Sequence, residues 1–454
     1  MADSSEVQLP DITRRFRLTI IVIFSCLYVV SACAYAIIAP FFPIVAEKRQ
    51  ITHVQLGIIF VVYSIVKAIF SPIVGILLPR VGVRYVLWAG LTIEAGSSIL
   101  LGFLANIYDR TSFLLFGIIL RGTQGLGSAM YQTAAASYIT VICQDSVATV
   151  LGVLEIFTSI GFMVGPPVGG ILYSAGGFKL PFIVLSSILL AASCIVAYML
   201  PAIPSDSKSS PGKLMLDVMR IPRVIIICFG LALLLTSITF TDPTFTLHLK
   251  PLHLSKTDIG LVFLSLAGAY GVFSPLAGYI CDRIGYRMLT IIGYLGAAIS
   301  LQFLGPAPYL HLPLTVAQSV LASIGLGAAF SLAAIPSFPD ILEAVSNSRY
   351  CQDKGQLATY SVTSGIFNGF LGLGQILGPL VGGVFVANAG VDFDWLAAIL
   401  GFIFLAQTVA VIILTLWEGT GFFNINRALP EDKESNKPTG NDNNDDNESK
   451  PLLA

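Results

Sequence analysis

Apolar residues fall in runs of about 20, cut by short charged or Pro/Gly-rich breaks. The runs cover about 18–40, 54–78, 85–105, 111–136, 147–172, 180–200, 223–245, 258–281, 288–307, 312–335, 356–387 and 393–417. At 1.5 Å per residue, such a run crosses the ~30 Å hydrocarbon core of a bilayer as one helix. The pattern predicts twelve transmembrane helices. The eleventh run is too long for one straight span, so its first residues are expected outside the hydrocarbon. The longest inner polar stretch, PAIPSDSKSSPGKLMLDVMRIP, splits the spans six and six and reads as a linker. The expected organisation is an N-terminal segment at 1–17, a six-helix bundle at 18–200, a linker at 201–222, a second bundle at 223–417 and an acidic tail at 418–454. The tail, PEDKESNKPTGNDNNDDNESKPLLA at its end, reads as disordered.

Composition agrees with the pattern. The 454 residues are 55% hydrophobic and 11% charged, with mean hydropathy +0.82. A soluble domain carries about 25% charged residues, so the chain reads as an all-α polytopic membrane protein. The first run exceeds the ~7–15 apolar residues of a signal peptide and reads as a retained span. A net charge of −1 gives no basic field for nucleic acid. None of the seven cysteines falls in a loop assigned to the lumen, so no disulfide is expected. The four histidines lack a metal-ligand spacing, and no phosphate-binding loop or nucleophile elbow is present. Neither metal, cofactor nor enzyme activity is expected. Of the 25 lysines and arginines, 17 lie on the side of the termini and 6 on the other. The positive-inside rule therefore puts both termini in the cytoplasm.

The two halves repeat. FSPIVGILLPRVGVR from Phe70 matches FSPLAGYICDRIGYR from Phe273, an offset of 203. GFMVGPPVGG (161–170) matches GQILGPLVGG (374–383) at an offset of 213. Two matches in the same order are the mark of internal duplication, and parallel six-helix repeats are one transporter layout.

These motifs resemble the major facilitator superfamily, which carries G-x-x-x-D-R-x-G-R after spans 2 and 8. The second copy here keeps Gly278, Asp282, Arg283, Gly285 and Arg287. The first keeps Gly75, Arg80, Gly82 and Arg84, but Pro79 replaces the acid, which weakens any charge relay assigned to that loop. Span 4 carries RGTQGLG, similar to the R-x-x-Q-G-x-G of superfamily antiporters, with Arg121 and Gln124 at the polar positions. Span 5 carries G-x-x-x-G-P-x-x-G-G. Within the superfamily the chain looks closest to the vesicular amine transporters, with FTDPTF and SFPDIL pointing to the polyamine-transporter-like branch. The resemblance implies two pseudo-symmetric bundles, alternating access, and a cavity usually lined by spans 1, 4, 7 and 10. Pro40, Pro43, Pro243 and Pro336 near their ends suit half-helix bending.

Ionisable residues inside spans are costly, about 2.5–3.5 kcal/mol each at a span centre, so each is a candidate site: Lys67, Glu94, Arg121, Glu155 and Asp242. Lys67 either snorkels to the interface or serves the pathway. Glu94 is either a neutral hydrogen-bonded acid or functional. Arg121 cannot lose its proton and is expected to find an anionic or carbonyl partner; its counterpart in the second half is Leu321. Asp242 either ends span 7 as an Asp-Pro turn or forms a gate or cation site. Glu155 matches Asn368 at the 213 offset, each eleven residues before a proline. Eleven residues is about three turns, so each polar side chain shares a face with its proline. Gly161 and Gly165 with Pro166 and Pro167, and Gly374 and Gly378 with Pro379, read as packing ridges beside a hinge.

Three acids against two bases favour a cationic substrate. A carboxyl group out of water holds either a proton or an amine, and that competition is the minimum chemistry of antiport. Asn368, Tyr35, Gln124, Tyr131, Gln132 and Gln375 offer neutral hydrogen bonds. The leading reading is a monomeric, proton-coupled exporter of an organic cation into acidic vesicles, of the synaptic, secretory or endolysosomal kind. A carrier of organic anions or neutral solutes, and a non-transporting receptor or scaffold, stand as alternatives. In the tail, Glu448, Leu452 and Leu453 fit the acidic dileucine pattern read by clathrin adaptors.

Overall fold

Pro40 and Pro243 are 203 residues apart, and neither can donate a backbone hydrogen bond to the carbonyl four residues earlier. Those carbonyls belong to Ala36 and Thr239, and there two helices end. In the computed structural model, which describes residues 14–203, 211–254, 256–348, 355–388 and 392–419, the first span is α1 (Arg14–Ala36) followed by α2 (Ile38–Glu47). Ile37 and Phe240 keep right-handed helical dihedrals, so each interruption bends a span without turning the chain. The repeat read from the loops therefore extends to spans 1 and 7.

The other elements of the first half are α3 (His53–Val81), α4 (Val83–Phe103), α5 (Arg110–Ile142), α6 (Val147–Gly176) and α7 (Lys179–Met199). After α8 (Pro211–Val218) come the paired α9 (Pro222–Thr239) and α10 (Thr241–His248). Then follow α11 (Lys256–Ile284), α12 (Tyr286–Leu304), α13 (Val316–Ser346), α14 (Gln356–Asn388) and α15 (Phe393–Trp417). Twelve spans among the described residues are long and apolar enough to cross a membrane. The architecture is all-α, two pseudo-symmetric six-helix bundles, as the sequence pattern predicts.

Each bundle has its own core. Phe24, Leu91 and Tyr138 anchor the first; Leu234, Tyr294 and Phe404 anchor the second. Large apolar side chains such as Ile171 and Val272 are exposed on the outside, the surface that lipid covers. The turns from α3 to α4 and from α11 to α12 pivot on Gly82 (φ +97°) and Gly285 (φ +103°), a region that side chains resist. That conformation explains the motif glycine in both loops.

The linker holds more order than its Pro, Ser and Lys content predicts. In α8, Leu214, Met215 and Val218 are buried against Val224, Ile341, Val362 and Ile366. The tail beyond Gly419, with Glu448, Leu452 and Leu453, lies outside the described residues.

Pro166 and Pro167 do not break α6, which runs unbroken from Val147 to Gly176, and Pro379 does not break α14. The helix interruptions are in spans 1 and 7 instead. The glycines beside these prolines serve packing. A Cβ on Gly161 would lie 2.5 Å from the Ala32 Cβ on α1, and one on Gly374 would lie 2.5 Å from the Ala232 carbonyl on α9. Each ridge presses span 5 or 11 against the broken helix of its own bundle.

Candidate functional site

A cavity of about 200 Å³ lies where the bundles meet. Its walls come from α1, α3, α5 and α6 of the first bundle and α9, α11, α13 and α14 of the second. Spans 1, 4, 7 and 10 do line it, as the resemblance implies, but spans 2, 5, 8 and 11 contribute as well. Two charged residues face it, Lys67 and Glu155, together with Asn368, Gln132 and Gln375. Glu155 and Asn368, the pair matched by the internal repeat, thus converge on one space from opposite bundles. The hydroxyls of Tyr270 and Thr158 lie beside the Glu155 carboxylate. Lys67 is 4% exposed, which removes the snorkelling option. It sits within electrostatic range of both Glu155 and Glu94.

The remaining walls are mostly aromatic. Tyr28 meets Tyr131 edge-on with centroids 5.6 Å apart, and Tyr35 packs on Tyr63 at 4.9 Å and on Phe162 at 5.9 Å. From the second bundle, Tyr270 packs on Phe330 at 4.9 Å and Phe338 on Phe367 at 5.3 Å. Ring faces carry negative charge density, so such walls attract cations by about 0.5–2 kcal/mol per contact.

Glu94 stands one layer back. It is buried on α4 and accepts a hydrogen bond from Ser31 Oγ at 3.0 Å; Ser31 itself lines the cavity. Arg121 also lies behind the wall, fully buried. The carbonyl partner that sequence reasoning asked for is the Gln124 side-chain oxygen, and three aromatic rings, not foreseen, complete the surroundings. Its guanidinium lies 4.6 Å from the Tyr63 ring centroid, 5.5 Å from Tyr35 and 5.7 Å from Phe60. One of its nitrogens donates to Gln124 Oε1 at 2.5 Å, and Gln124 donates on to Ser98 at 2.7 Å. Gln124 therefore holds Arg121 and does not reach the cavity. Tyr63 and Gln132 both donate to Ser128, at 2.8 and 3.1 Å, which ties the arginine cage to the cavity wall. Asp242 is the second residue of α10, beside the break that Pro243 makes in span 7; its side chain lies outside the described set.

At one end of the cavity two seams join the bundles, α3 against α14 and α6 against α11. They are built alike. A Cβ on Gly75 would lie 2.6 Å from the Ser361 carbonyl, and one on Gly278 would lie 2.4 Å from the Ala148 carbonyl. These four residues are related by the same 203 and 213 offsets. Gly365 and Gly152 repeat the relation from the facing helices, each against a carbonyl of the other bundle, Ser71 and Ser274.

The seams differ in one polar pair. Asp282 Oδ2 accepts hydrogen bonds from the Thr149 backbone N–H at 2.8 Å and from its Oγ1 at 2.5 Å. Thr149 is in the first turn of α6, so the carboxylate also meets the positive end of the helix. The offsets turn this pair into Pro79 and Val362, both apolar. Thr149 gave no signal by itself in the sequence. The paired loss of Asp at 79 and Thr at 362 is a signal only once the contact is known.

Other loop residues are distributed around this end. Arg287 pairs with Glu418, and Arg223 pairs with Asp340, with Glu343 at 3.4 Å and with Glu418 at 3.7 Å. Arg283 lies over the Tyr279 ring at 4.3 Å. Arg84 donates to the Ala197 carbonyl, and Arg80 is exposed. Asp340 is the acid of the SFPDIL motif, whereas Arg223, Glu343 and Glu418 were not singled out by sequence reasoning.

Two six-helix bundles around a central cavity are the architecture of a helical membrane transporter. The chain belongs to the major facilitator superfamily, whose family model matches residues 24–340 and 227–439. It is 31% identical over 339 residues to the MFS-type transporter SLC18B1 of Mus musculus, covering 74% of this chain and 72% of that protein. The Homo sapiens SLC18B1 is 33% identical over the same shares. The synaptic vesicular amine transporter of Homo sapiens is 23% identical over 70% of this chain and 58% of its own length. The chain is thus a multi-pass membrane transporter related to vesicular amine transporters, and not an enzyme. The crystal structure of the human organic anion transporter MFSD10 (TETRAN) superposes with a TM-score of 0.69 at 14% identity, covering 89% of this chain and 100% of that one; this likeness concerns the fold.

Proposed function

We propose that the protein exchanges protons for an organic cation, moving the cation from the cytoplasm into an acidic vesicle or endolysosome. The observation that carries this reading is the placement of Glu155: the one carboxylate among the described residues lining the cavity, set among aromatic walls. An ammonium group bound there gains the carboxylate and the ring faces together. A proton arriving from the acidic side neutralises Glu155 and removes the charge that holds the amine. Release to the lumen, reorientation and loss of the proton to the cytoplasm complete the cycle. Lys67 faces the same space and offsets the Glu155 charge when no amine is present. Glu94 and the caged Arg121 hold the charge balance behind the wall.

The single carboxylate also bears on the cargo. A polyamine carries several ammonium groups, and here the second would meet Lys67 or an aromatic wall. A singly charged amine suits the cavity better, so of the two cargoes that the resemblance implies, this reading favours the monoamine. The glycine seams lie on the side that lysine and arginine counting assigns to the cytoplasm, which supports reading this as the state shut to the cytoplasm. The dileucine pattern at Glu448, Leu452 and Leu453 would route the protein to vesicles through clathrin adaptors.

A second reading has an observation of its own. Lys67 forms no ion pair among the described residues and would attract an organic anion. Uptake into acid-interior proteoliposomes separates the two, with serotonin, spermidine and an organic anion as cargoes, with and without a proton uncoupler. Uncoupler-sensitive serotonin uptake that Glu155→Gln abolishes at normal expression supports the proposal. Uptake of the anion alone would replace it with the second reading. Spermidine uptake exceeding that of serotonin would refute the preference for one charge.

A further inference from the structure

Arg84 and Arg287 are partners under the 203 offset, but their surroundings differ. Arg287 is 5% exposed and paired with Glu418. Arg84 is half-buried, and among the described residues neither it nor Arg80 forms an ion pair. Its bond to the Ala197 carbonyl near the end of α7 holds the guanidinium in the wall of a groove of about 510 Å³. Val81 and Ile203 supply apolar walls; Tyr85 and Trp88, with ring centroids 5.9 Å apart, form the rim. Tyr85 is 58% exposed.

The groove shares no lining residue with the central cavity and lies at the level where α3 turns into α4. In a membrane protein this level is the border between acyl chains and headgroups, where tyrosine and tryptophan concentrate. A fixed cation with no acid partner among the described residues, an aromatic pair and apolar walls match the three parts of a lipid: phosphate, glycerol region and acyl chain. Basic pockets between spans on the cytoplasmic side recognise anionic headgroups in this way.

We propose that the groove between the start of α4 and the end of α7 binds an anionic phospholipid, with Arg84 on the phosphate and an acyl chain along Val81 and Ile203. The site is independent of the transported cargo. Because its counterpart arginine is occupied by Glu418, the second bundle lacks the same site, and one lipid per chain is expected.

Native mass spectrometry of the full-length, delipidated transporter tests this, with phosphatidylserine and phosphatidylcholine vesicles offered in parallel. One basic residue near an anionic headgroup is worth about fivefold in binding, so one phosphatidylserine should be retained about fivefold over phosphatidylcholine. Arg84→Gln should erase that preference and Arg84→Lys should keep most of it. If both variants misfold, Tyr85→Ser leaves the Arg84 clamp intact and should cut retention at least twofold. Equal retention of both lipids, or a preference that survives Arg84→Gln, overturns the proposal. Full displacement by inorganic phosphate would make the ligand a soluble anion, which also overturns it. Lipid binding that appears only after Asp206→Asn would show that the chain's own linker fills the groove, and the proposal fails.

Discussion

Replacing Asp282 by asparagine tests whether one polar pair holds the proposed cytoplasmic gate. In the closed state the Asp282 carboxylate takes two hydrogen bonds from Thr149, at 2.8 and 2.5 Å. Hydrogen bonds to a charged group contribute about 1.5–3 kcal/mol, and a negative charge at a helix N-terminus adds about 0.3–1 kcal/mol. Asparagine keeps an acceptor but loses the charge, so the closed state should weaken by about 2 kcal/mol. At 1.4 kcal/mol per factor of ten, that shifts the gate by about 30-fold. Cys281 is the adjacent residue and is 5% exposed, which makes it a built-in reporter. With the other six cysteines replaced, alkylation of Cys281 by a thiol reagent applied from the cytoplasmic side should run about 30-fold faster in Asp282→Asn. Thr149→Val should also speed it, and the double variant should exceed Asp282→Asn little, because the two changes cut one interaction. Val362→Thr, at the matching place in the other seam, should leave the rate unchanged. A change under about threefold, or full additivity of the two variants, would refute the reasoning.

Two further predictions follow from packing and from the arginine cage. Gly75→Ala and Gly161→Ala add the same methyl group, 2.6 Å from the Ser361 carbonyl in one case and 2.5 Å from the Ala32 side chain in the other. The first contact lies between bundles and the second within one. Gly75→Ala should therefore hold the gate open, raising Cys281 labelling with little change in melting temperature, whereas Gly161→Ala should lower stability by about 1–3 kcal/mol through overpacking. Arg121→Lys removes the planar group held between three rings and the bond to Gln124; uptake in proteoliposomes should fall at least about tenfold. Phe60→Leu, which removes one ring, should cost less.

Much of the fold was legible because a bilayer imposes a simple rule on sequence: each crossing needs its own apolar run. The repeat was legible too, since glycines at close helix contacts and positive-φ turns, such as Gly75 and Gly82 with Gly278 and Gly285, leave little choice of residue. Other features needed three dimensions. Lys67 and Glu155 are on separate spans, and only packing shows that they face one cavity. Arg121 does find a carbonyl oxygen, on Gln124, but its aromatic partners Tyr35, Phe60 and Tyr63 look like ordinary span residues in sequence. The proline-rich stretch of span 5 read as a hinge, yet α6 runs unbroken through Pro166 and Pro167. In the linker, the apolar positions of α8 at 214, 215 and 218 were masked by the prolines and serines around them.

The pairing of Thr149 and Asp282 with Val362 and Pro79 has a thermal consequence. The α6–α11 side is fastened by charge-assisted hydrogen bonds, while the α3–α14 side relies on apolar contact, including the cover of Leu214, Met215 and Val218 from α8. Apolar attraction weakens on cooling, and hydrogen bonds to a carboxylate do not share that loss. In the cold the molecule becomes a lopsided clasp, still hooked along one edge and slack along the other. The first opening at this end is then a swing about the hooked edge, not a symmetric parting of the halves.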